Sequence, residues 1–457
     1  MAHSADFRFR RFLNWFPLGL TYAAMYMGRY NFNIVKGDIG RMYHLDIAQM
    51  GLIASAGFWT YGLAVAFNGP LADRIGGRKA ILLGALGAAV FNLAIGFMFL
   101  NGHTTRLLLS MSLLWSANMY FQSLGALSVV KVNSTWFHVE ERGVFGGIFG
   151  IMISSGYFLA TTVGAWLLAS YSSWTVIWFV PSAAMGLMFL VDTLLVRNRP
   201  SHAGHPDFDT GDGSRAQDAE DTPLPLGDLM RKVFHNPIIV ALIFAEFCTG
   251  FVRQGVMLYF TEYLNDVYGI TKVLPKLNLF GWHPSLFWLT GIVFMFGGIF
   301  GGLLCGWMSD RLFQSRRPPV AFLFYLVQVV MLVLLGLSLG RGTPGGQIWA
   351  VLLLGLTAMF IFGVHGMLTG TASMDFGGRK AAATVAGALD GIQYIGSGLT
   401  GFGLGWILKT HGWDGVATAG HTPTSAWVWV ASIIPFSLVG ALIMTRLWHA
   451  KPSAGAH

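Results

Sequence analysis

The chain contains the stretch Gly69-Pro70-Leu71-Ala72-Asp73-Arg74-Ile75-Gly76-Gly77-Arg78-Lys79, and a version of it occurs again. This repeat decides how the rest of the chain is interpreted. The second version is Gly306-Trp307-Met308-Ser309-Asp310-Arg311, with Arg316-Arg317 shortly after it. The first version follows the second long apolar segment, and the second version follows the eighth. This recurrence predicts two halves of six segments each, built to one plan.

The composition is typical of a membrane protein. Of 457 residues, 54% are hydrophobic and only 11% are charged, whereas soluble proteins carry about 25% charged residues. The 59 glycines agree, because helices that pack closely in lipid use small residues. The net charge of +8 could indicate a nucleic-acid partner. However, the basic residues fall mainly in loops on one side of the predicted membrane, so we expect no such partner.

Twelve apolar segments reach the length of about 20 residues that a helix needs to cross a bilayer. They lie near 12–35, 47–70, 80–100, 106–131, 144–168, 173–196, 237–264, 286–306, 319–340, 348–373, 382–408 and 425–447. A barrel is excluded, since its strands would be about 10 residues of alternating hydrophobicity. We therefore predict an all-α membrane protein made of two pseudo-symmetric six-helix bundles.

The stretch between the sixth and seventh segments is polar, acidic and rich in proline and glycine, which is typical of a partly disordered linker. We predict an N-terminal bundle over 1–196, a linker over 197–236 and a C-terminal bundle over 237–457. Most of the 29 lysines and arginines lie on the side of the linker and of both termini, which the positive-inside rule places in the cytoplasm. The expected location is a bacterial-type inner membrane, with no cleaved signal peptide.

Two arginines interrupt apolar segments at matching depths. Arg29 comes 17 residues after Phe12, and Arg253 comes 16 after Pro237. An arginine inside a bilayer costs roughly 2.5–3.5 kcal/mol by insertion scales, so a pair of them needs a physical reason. In parallel six-helix repeats the substrate site lies at the interface, near mid-membrane. We predict that both guanidinium groups bind an anion there; pairing with an acid such as Glu246 is the structural alternative.

The repeated motif on a six-plus-six frame resembles the major facilitator superfamily, and within it the organophosphate:phosphate antiporters. The stretches that carry the second resemblance are Tyr22-Ala23-Ala24-Met25-Tyr26-Met27-Gly28-Arg29-Tyr30-Asn31-Phe32-Asn33, Val252-Arg253-Gln254-Gly255-Val256, Glu141-Arg142-Gly143 after Trp136-Phe137, and Arg379-Lys380-Ala381-Ala382 through Gly412-Trp413-Asp414-Gly415. The resemblance implies that Arg29 and Arg253 bind the phosphoryl group. It also implies a set of pocket-lining residues, namely Tyr22, Tyr26, Tyr61, Tyr394 and Lys131.

The acid–arginine pairs of the repeated motif lie at helix ends. There they can pair with neighbouring helix termini and latch the cytoplasmic face. We therefore predict gating roles for Asp73, Arg74, Asp310 and Arg311.

Three positions depart from the family's glycerol-3-phosphate and hexose-6-phosphate carriers. Val65 stands where the first has a lysine, and Ile153 lies near the place of a family histidine. The hexose-phosphate carrier has an Asp/Lys pair in the eleventh segment, where this chain has Asp390 and Gln393 and no lysine. The phosphate-binding core is therefore expected to persist, while the organic part of the substrate is expected to differ.

A phosphate monoester carries about −1.5 to −2 charges at pH 7, which two arginines can neutralise through bidentate hydrogen bonds. An empty carrier would hold two unpaired cations close together, so we predict exchange of an organophosphate for inorganic phosphate by alternating access. His365 could replace the missing histidine or serve packing. Asp390 could bind a substrate hydroxyl, carry a proton or pair with a neighbouring helix. Asn118 and Gln122 could contact the organic part of the substrate or only pack.

Two other functions stay open. One is transport of another organic anion, a carboxylate or sulfonate with or without protons, in which Asp390 and His365 would matter most. The other is a receptor that senses a phosphate ester. An enzyme is not expected, since the sequence contains no nucleophile elbow, P-loop or metal cluster. We expect no cofactor, a monomeric chain, and two kinds of partner: the lipid bilayer and a small anionic substrate.

Overall fold

The computed structural model describes residues 4–138, 141, 150–152, 154–171, 173–210, 231, 234–277, 284–411 and 426–450, without the side chains of Asp73 and of residues 371–384. Within these ranges the regular structure is helical, and the one β-bridge joins Lys276 to Ser285. Arg142, Ile153 and much of the predicted linker lie outside the described residues.

The first half consists of six helical segments. Their bounds are α1, Ala5–Tyr43; α2, Ile47–Ile75; α3, Gly77–Leu100; α4, Leu107–Gln122 and Leu124–Asn133; α5, Gly150–Ser170; and α6, Val176–Leu195. Local sequence sets several of these ends. Ser4 caps α1 by accepting a hydrogen bond from the backbone of Phe7, and Asp46 and Gln49 form a capping box at the start of α2.

The second half consists of six more. Their bounds are α7, Pro237–Glu262 with a π-helical extension Tyr263–Val267; α8, Leu286–Leu312; α9, Arg317–Leu337; α10, Pro344–His365 with a π-helical extension Gly366–Ala372; α11, Ser373–Leu399, continued by Thr400–Leu404 and Gly405–Thr410; and α12, Ala426–Arg446. Proline stands in the first turn of α7, α9 and α10, where its missing N–H has no intrahelical partner to lose.

The turn between α2 and α3 shows why the first copy of the repeated motif contains adjacent glycines. Gly76 has φ +85°, a conformation that residues with a side chain rarely adopt. A Cβ on Gly77 would lie only 2.9 Å from the carbonyl oxygen of Ser128 on α4. The side chain of Asn198, just beyond α6, accepts the backbone N–H of Arg78 at 2.8 Å. The motif therefore packs the α2–α3 turn against α4 and the end of α6.

Nine of the helices in the described ranges are long and apolar enough to cross a membrane by length and composition alone. The three other predicted crossings are α1, α4 and α11. α1 contains Arg29 and Lys36, α4 is interrupted at Ser123, and α11 contains Asp390. All three are helical and pack among the other helices. The predicted fold class is confirmed, and the buried Arg29 and Lys36 contribute to the lower apolarity of α1.

Among the described residues, the two halves contact each other mainly through three helix pairs, α1 with α7, α2 with α11, and α5 with α8. We call the end where α1 begins and α12 ends the terminus face, and the other end the opposite face. A Cβ on Gly51 would lie 2.0 Å from the carbonyl oxygen of Gly401, so α2 and α11 touch near the opposite face. Closer to the terminus face, a Cβ on Gly387 would meet only Val65, at 3.8 Å. The helices α2 and α11 therefore pack closely at the opposite face, which is closed, and more loosely toward the terminus face.

Three buried asparagines fix α1 within the first half. Asn31 donates to Asn92 at 2.8 Å, and Asn92 donates to Asn118 at 2.8 Å. Asn118 in turn donates to the carbonyl oxygen of Gly28 at 3.3 Å. Buried amides that are fully hydrogen-bonded give a rigid frame. Asn118 thus has a packing role, and the network holds the backbone next to Arg29 in place.

Candidate functional site

Arg29 lies at the interface between the halves and is 1% exposed. Its Nη1 donates to the hydroxyl of Tyr394 at 2.9 Å, and its Nη2 donates to the backbone and side-chain oxygens of Gln122, each at 3.3 Å. Gln122 belongs to the same half as Arg29, whereas Tyr394 lies on α11. One hydrogen bond of this guanidinium group therefore crosses from one half to the other.

Three tyrosine rings surround the same guanidinium group. Arg29 Cζ lies 4.5 Å from the ring centroid of Tyr26, 4.8 Å from that of Tyr61 and 5.9 Å from that of Tyr22. Tyr22 and Tyr26 are one turn apart on α1, with ring centroids 5.1 Å apart. Cation–π contacts at such distances stabilise a desolvated cation by about 2 kcal/mol. The structure thus brings together the three tyrosines that were predicted for the first half.

Arg253 occupies the equivalent place on α7 and is 2% exposed. Its Nη2 donates to Gln393 Oε1 at 3.1 Å, and its Cζ lies 5.3 Å from the ring centroid of Tyr394. The Tyr394 ring also stacks on Tyr61, with centroids 3.9 Å apart. Tyr394 therefore contacts both arginines, Arg29 through its hydroxyl and Arg253 through its ring.

Neither guanidinium group forms an ion pair with a carboxylate in the part of the chain that the structure describes. The Nε of Arg29 and the Nε of Arg253 are buried without any hydrogen-bond partner. The structural alternative of pairing with Glu246 is not observed, since that carboxylate approaches His365 instead. A buried charge is costly unless it is paired, and spare donors on two neighbouring cations suit a doubly charged anion.

A second polar cluster lies between the arginines and the terminus face. Glu246 Oε2 is 3.6 Å from His365 Nδ1, and the Thr369 hydroxyl donates to Glu246 Oε1 at 3.1 Å. Asp390, one turn before Tyr394 on α11, is half-buried and interacts electrostatically with His365 and with both arginines. Both predicted residues, His365 and Asp390, thus lie near the arginines, together with a glutamate that was not predicted to join them.

Lys131 does not reach this centre. It lies nine residues beyond Gln122 along α4, which is about 13 Å of helical rise. Its side chain is exposed, and its Cβ would be 3.1 Å from a Cβ on Gly77 at the start of α3. A role of Lys131 in substrate binding stays a prediction.

The predicted latch residues lie at the terminus face. Arg74 and Arg311 are exposed there, and Asp310 pairs with Arg317 of its own half at 2.7 Å. The side chain of Asp73 lies outside the described part of the structure. Gating by these four residues stays a prediction.

In the part of the chain that the structure describes, ion pairs between the halves occur at the opposite face. Among the described residues they are Lys36 with Glu262 at 3.0 Å, Asp38 with Lys272, and Asp46 with Lys409 at 2.7 Å. The side chains of Lys36 and Glu262 are only 2% and 9% exposed, and Lys36 Nζ lies 4.1 Å from the centroid of the Tyr259 ring. These pairs were not predicted. The sequence does place charged residues near the ends of these helices, but spacing along the chain does not show which of them face each other across the two halves.

The outer two pairs at this face differ in their electrostatics. Burial alone would raise the pKa of Asp46, but the Lys409 ammonium and the backbone N–H of Gln49 hold it below its usual range. Burial lowers the pKa of Lys272, although Asp38 beside it opposes this effect. The Asp46 carboxylate therefore stays ionised across the physiological pH range.

Comparison with known proteins agrees with this architecture. The sequence profile described as Major Facilitator Superfamily matches residues 18–401. A probable hexose phosphate transport protein of Chlamydia trachomatis is 25% identical over 98% of this chain and 92% of that protein. A glycerol-3-phosphate transporter of Bacillus subtilis is 26% identical over 87% of this chain and 86% of that protein. The membrane sensor protein UhpC of Salmonella typhimurium is 26% identical over 90% of this chain and 89% of that protein.

Solved structures show the same fold. A bacterial homologue of the human lysosomal transporter Spinster, in its inward-facing and occupied conformation, superimposes with a TM-score of 0.70 at 15% identity over 97% of each chain. The nucleoside transporter NupG does so with a TM-score of 0.65 at 14% identity, over 95% of this chain and 99% of that one. The relatives are transporters and sensors rather than enzymes, and they confirm the predicted resemblance. The chain belongs to the Major Facilitator Superfamily.

Proposed function

We propose that this chain is a carrier that exchanges a phosphate ester, of the sugar-phosphate or glycerol-phosphate class, for inorganic phosphate. The observation that carries the proposal is the pair of buried arginines, Arg29 and Arg253, which have spare donors and, among the described residues, no carboxylate partner. The names of two relatives, a hexose phosphate transport protein and a glycerol-3-phosphate transporter, support the same class of substrate.

The chemistry of a phosphoryl group fits this pair. The group carries about −1.5 to −2 charges near pH 7 and offers three acceptor oxygens. A guanidinium group stays protonated when desolvated, and its planar fork matches two of those oxygens. The open donors at each Nε, and the Nη1 that Arg29 now shares with Tyr394, are available for such acceptors. One dianion would neutralise both arginines at once.

This charge balance favours exchange over one-way release. Without an anion, closing the two halves around the site would bring two cations into a medium of low dielectric constant, where their repulsion is strong. A bound anion removes that cost, so the loaded carrier crosses between its two conformations more readily. We infer that phosphate or its ester has to be bound on each passage.

The conformation described above corresponds to one state of such a cycle. With the terminus face in the cytoplasm, as the distribution of basic residues predicts, this state of the carrier is closed to the outside. Opening to the outside would require the Lys36–Glu262, Asp38–Lys272 and Asp46–Lys409 pairs to break.

A sensor is the second candidate, because the membrane sensor protein UhpC is as similar to this chain as the transporters are. A sensor would bind the same phosphate esters through the same arginines. It would differ in that binding would not be followed by exchange across the membrane.

Counterflow in liposomes tests the proposal. Vesicles loaded with phosphate and containing the purified chain are challenged with labelled phosphate, phosphate esters and carboxylates. We expect rapid phosphate homoexchange and uptake of at least one ester. Arg29→Lys and Arg253→Lys should each lower exchange at least tenfold, because lysine keeps the charge but loses the fork. Arg341→Lys, an exposed arginine outside the site, is the matched control.

Two results would contradict it. Binding of phosphate esters without any exchange would favour the sensor. Uptake of a carboxylate that does not respond to phosphate on either side would favour a carrier for another class of organic anion.

A further inference from the structure

The cluster of Glu246, His365 and Asp390 is not needed to hold a phosphoryl group, yet it lies beside the arginines that would hold one. Glu246 is fully buried, and its Oε2 has no hydrogen-bond partner. The nearest cationic candidate, His365 Nδ1, is 3.6 Å from that oxygen, which is longer than a hydrogen bond. A buried carboxylate with an unsatisfied oxygen is costly when ionised, and a proton removes that cost.

Three neighbouring helices contribute polar or titratable groups to the surroundings of Glu246. α10 contributes His365 and Thr369, α11 contributes Asp390, and α9 contributes Tyr325.

Its own helix contributes Cys248, two residues away, and Arg253, seven residues or two turns away. α12 has no titratable side chain between Ala426 and Thr445, and α1 contributes the more distant Arg29. The only permanent cations that face the cluster in the described residues are therefore the two arginines of the proposed anion site.

We propose that Glu246, His365 and Asp390 form a proton-binding site that is linked to the anion site, so that binding of the anion is accompanied by proton uptake. The inference rests on the proposed function, because it takes the arginine pair as the place where the anion binds. It assigns to Glu246 a role that neither the repeated motif nor the three tyrosines around Arg29 require.

The sign of the linkage follows from charge. In the absence of an anion, Arg253 and Arg29 stabilise the ionised forms of Glu246 and Asp390. An anion bound between the arginines cancels that field, so the acids then bind protons more tightly. Glu246 and Arg253 are seven residues apart on α7, or about 10 Å of helical rise. At that distance and an effective dielectric constant of about 20, each added negative charge raises the proton affinity roughly tenfold.

Calorimetry of the purified full chain counts these protons. Inorganic phosphate is titrated between pH 5.5 and 8.5 in two buffers of different ionisation enthalpy, and the proton balance of phosphate itself is subtracted. We expect uptake that approaches one proton per phosphate over part of this range. Where one proton is taken up, the affinity should fall about tenfold for each unit that the pH rises.

Substitutions assign the protons to the cluster. Glu246→Gln imitates the protonated acid, so proton uptake should fall by at least half while binding at pH 5.5 stays within about threefold. His365→Asn serves the same purpose if the first variant does not fold, and should also reduce the uptake. The matched control is Asp192→Asn, which alters another buried acid that is bonded to Thr21 and lies in the first half. It should leave the uptake unchanged.

The outcomes separate this inference from the proposed function. Phosphate binding without net proton uptake by the unaltered chain would overturn the proton site and leave the carrier proposal standing. An equal loss of uptake in Asp192→Asn and Glu246→Gln would overturn the assignment to this cluster. Absence of phosphate binding at every pH would overturn the proposed function itself, and the proton site with it.

Discussion

The hydroxyl of Tyr394 accepts a 2.9 Å hydrogen bond from Arg29, although the two residues are 365 positions apart in the chain. The bond joins α11 to α1, and the same tyrosine ring faces Arg253 at 5.3 Å. One side chain thus contacts the buried cation of each half. Any rearrangement of the halves has to change this contact. An anion that binds both arginines either replaces the Tyr394 hydroxyl as the acceptor of Arg29 or binds next to that hydroxyl and contacts it.

Replacing Tyr394 by phenylalanine tests which of these two occurs. The ring remains, so its stacking on Tyr61 and its contact with Arg253 persist, while Arg29 Nη1 loses its acceptor. A buried charged donor without a partner costs about 1–3 kcal/mol or more, and a bound phosphate oxygen would recover that cost. We therefore expect phosphate to bind several-fold more tightly to the variant, as measured by calorimetry.

The control for this variant is Tyr263→Phe. It also removes a buried hydroxyl, one that donates to the backbone oxygen of Leu335 on α9, away from the arginines. Phosphate affinity should not change in the control. Weaker phosphate binding in Tyr394→Phe would contradict the prediction and show that the hydroxyl itself contacts the anion.

The sequence predicts the centre of this site better than its surroundings, for a physical reason. A charge at mid-membrane is so costly that Arg29 and Arg253 stand out from their apolar segments, and helical rise places them at one depth. Tyr22 and Tyr26 follow from their position on the same helix as Arg29. These inferences are local, because each depends on one helix and its position in the bilayer.

Contacts between segments are not local, and there the sequence is less informative. Glu246 could pair with Arg253 on spacing alone, but the packing of α7 on α10 gives it His365. Lys36 and Glu262 are 226 positions apart and belong to different halves, so no spacing rule connects them. The arrangement of the halves decides such pairs, and it depends on many glycine contacts at once.

The buried pair Lys36–Glu262 should contribute most of the three pairs to closing the opposite face. Removing one partner of a buried ion pair leaves an uncompensated charge and costs about 3–5 kcal/mol, whereas an exposed pair contributes about 0–1 kcal/mol. We expect Lys36→Met to shift the carrier toward an open opposite face, measured by distances between spin labels placed on the two halves there.

Lys409→Met is the matched comparison, since Lys409 pairs with Asp46 at the same face but is 47% exposed. It should shift the same distances far less. The double variant Lys36→Met with Glu262→Gln should recover part of the closed population, because no unpaired charge remains. Equal effects of the two lysine variants would argue that burial does not set the strength of this closure.

The contribution of the Asp46–Lys409 pair to closure of the opposite face should not depend on pH near neutrality. The pKa of Asp46 is held low in the closed conformation. The pair therefore contributes fully to closure at pH values above the usual aspartate pKa of about 4. This contribution is lost as the pH falls through the lowered pKa. Between pH 5 and 8 the charge of Asp46 is constant. We expect Asp46→Asn to loosen closure equally at pH 5 and pH 8 in the spin-label measurement, and a loosening confined to one of them would contradict this assignment.

Closure also requires the two halves to touch, and Gly51 is where they do so most tightly. Its ideal Cβ would lie 2.0 Å from the carbonyl oxygen of Gly401 and 2.9 Å from the hydroxyl of Tyr259. The first of these is backbone, which cannot turn aside as a flexible side chain can. Gly51→Ala should therefore keep the opposite face from closing while each half remains folded, and phosphate exchange should fall at least tenfold.

Accessibility of a cysteine placed next to Gly51 on α2 would report this directly, because thiol reagents should reach it from the opposite face in the alanine variant and not in the parent. Gly186→Ala on α6 is the control, since its Cβ would have no atom within 4 Å. Exchange and accessibility should both be unchanged in that control. Normal exchange in Gly51→Ala would contradict the prediction. The helices could then separate by the width of a methyl group without opening the opposite face, and the transport cycle would not need the tight glycine contact.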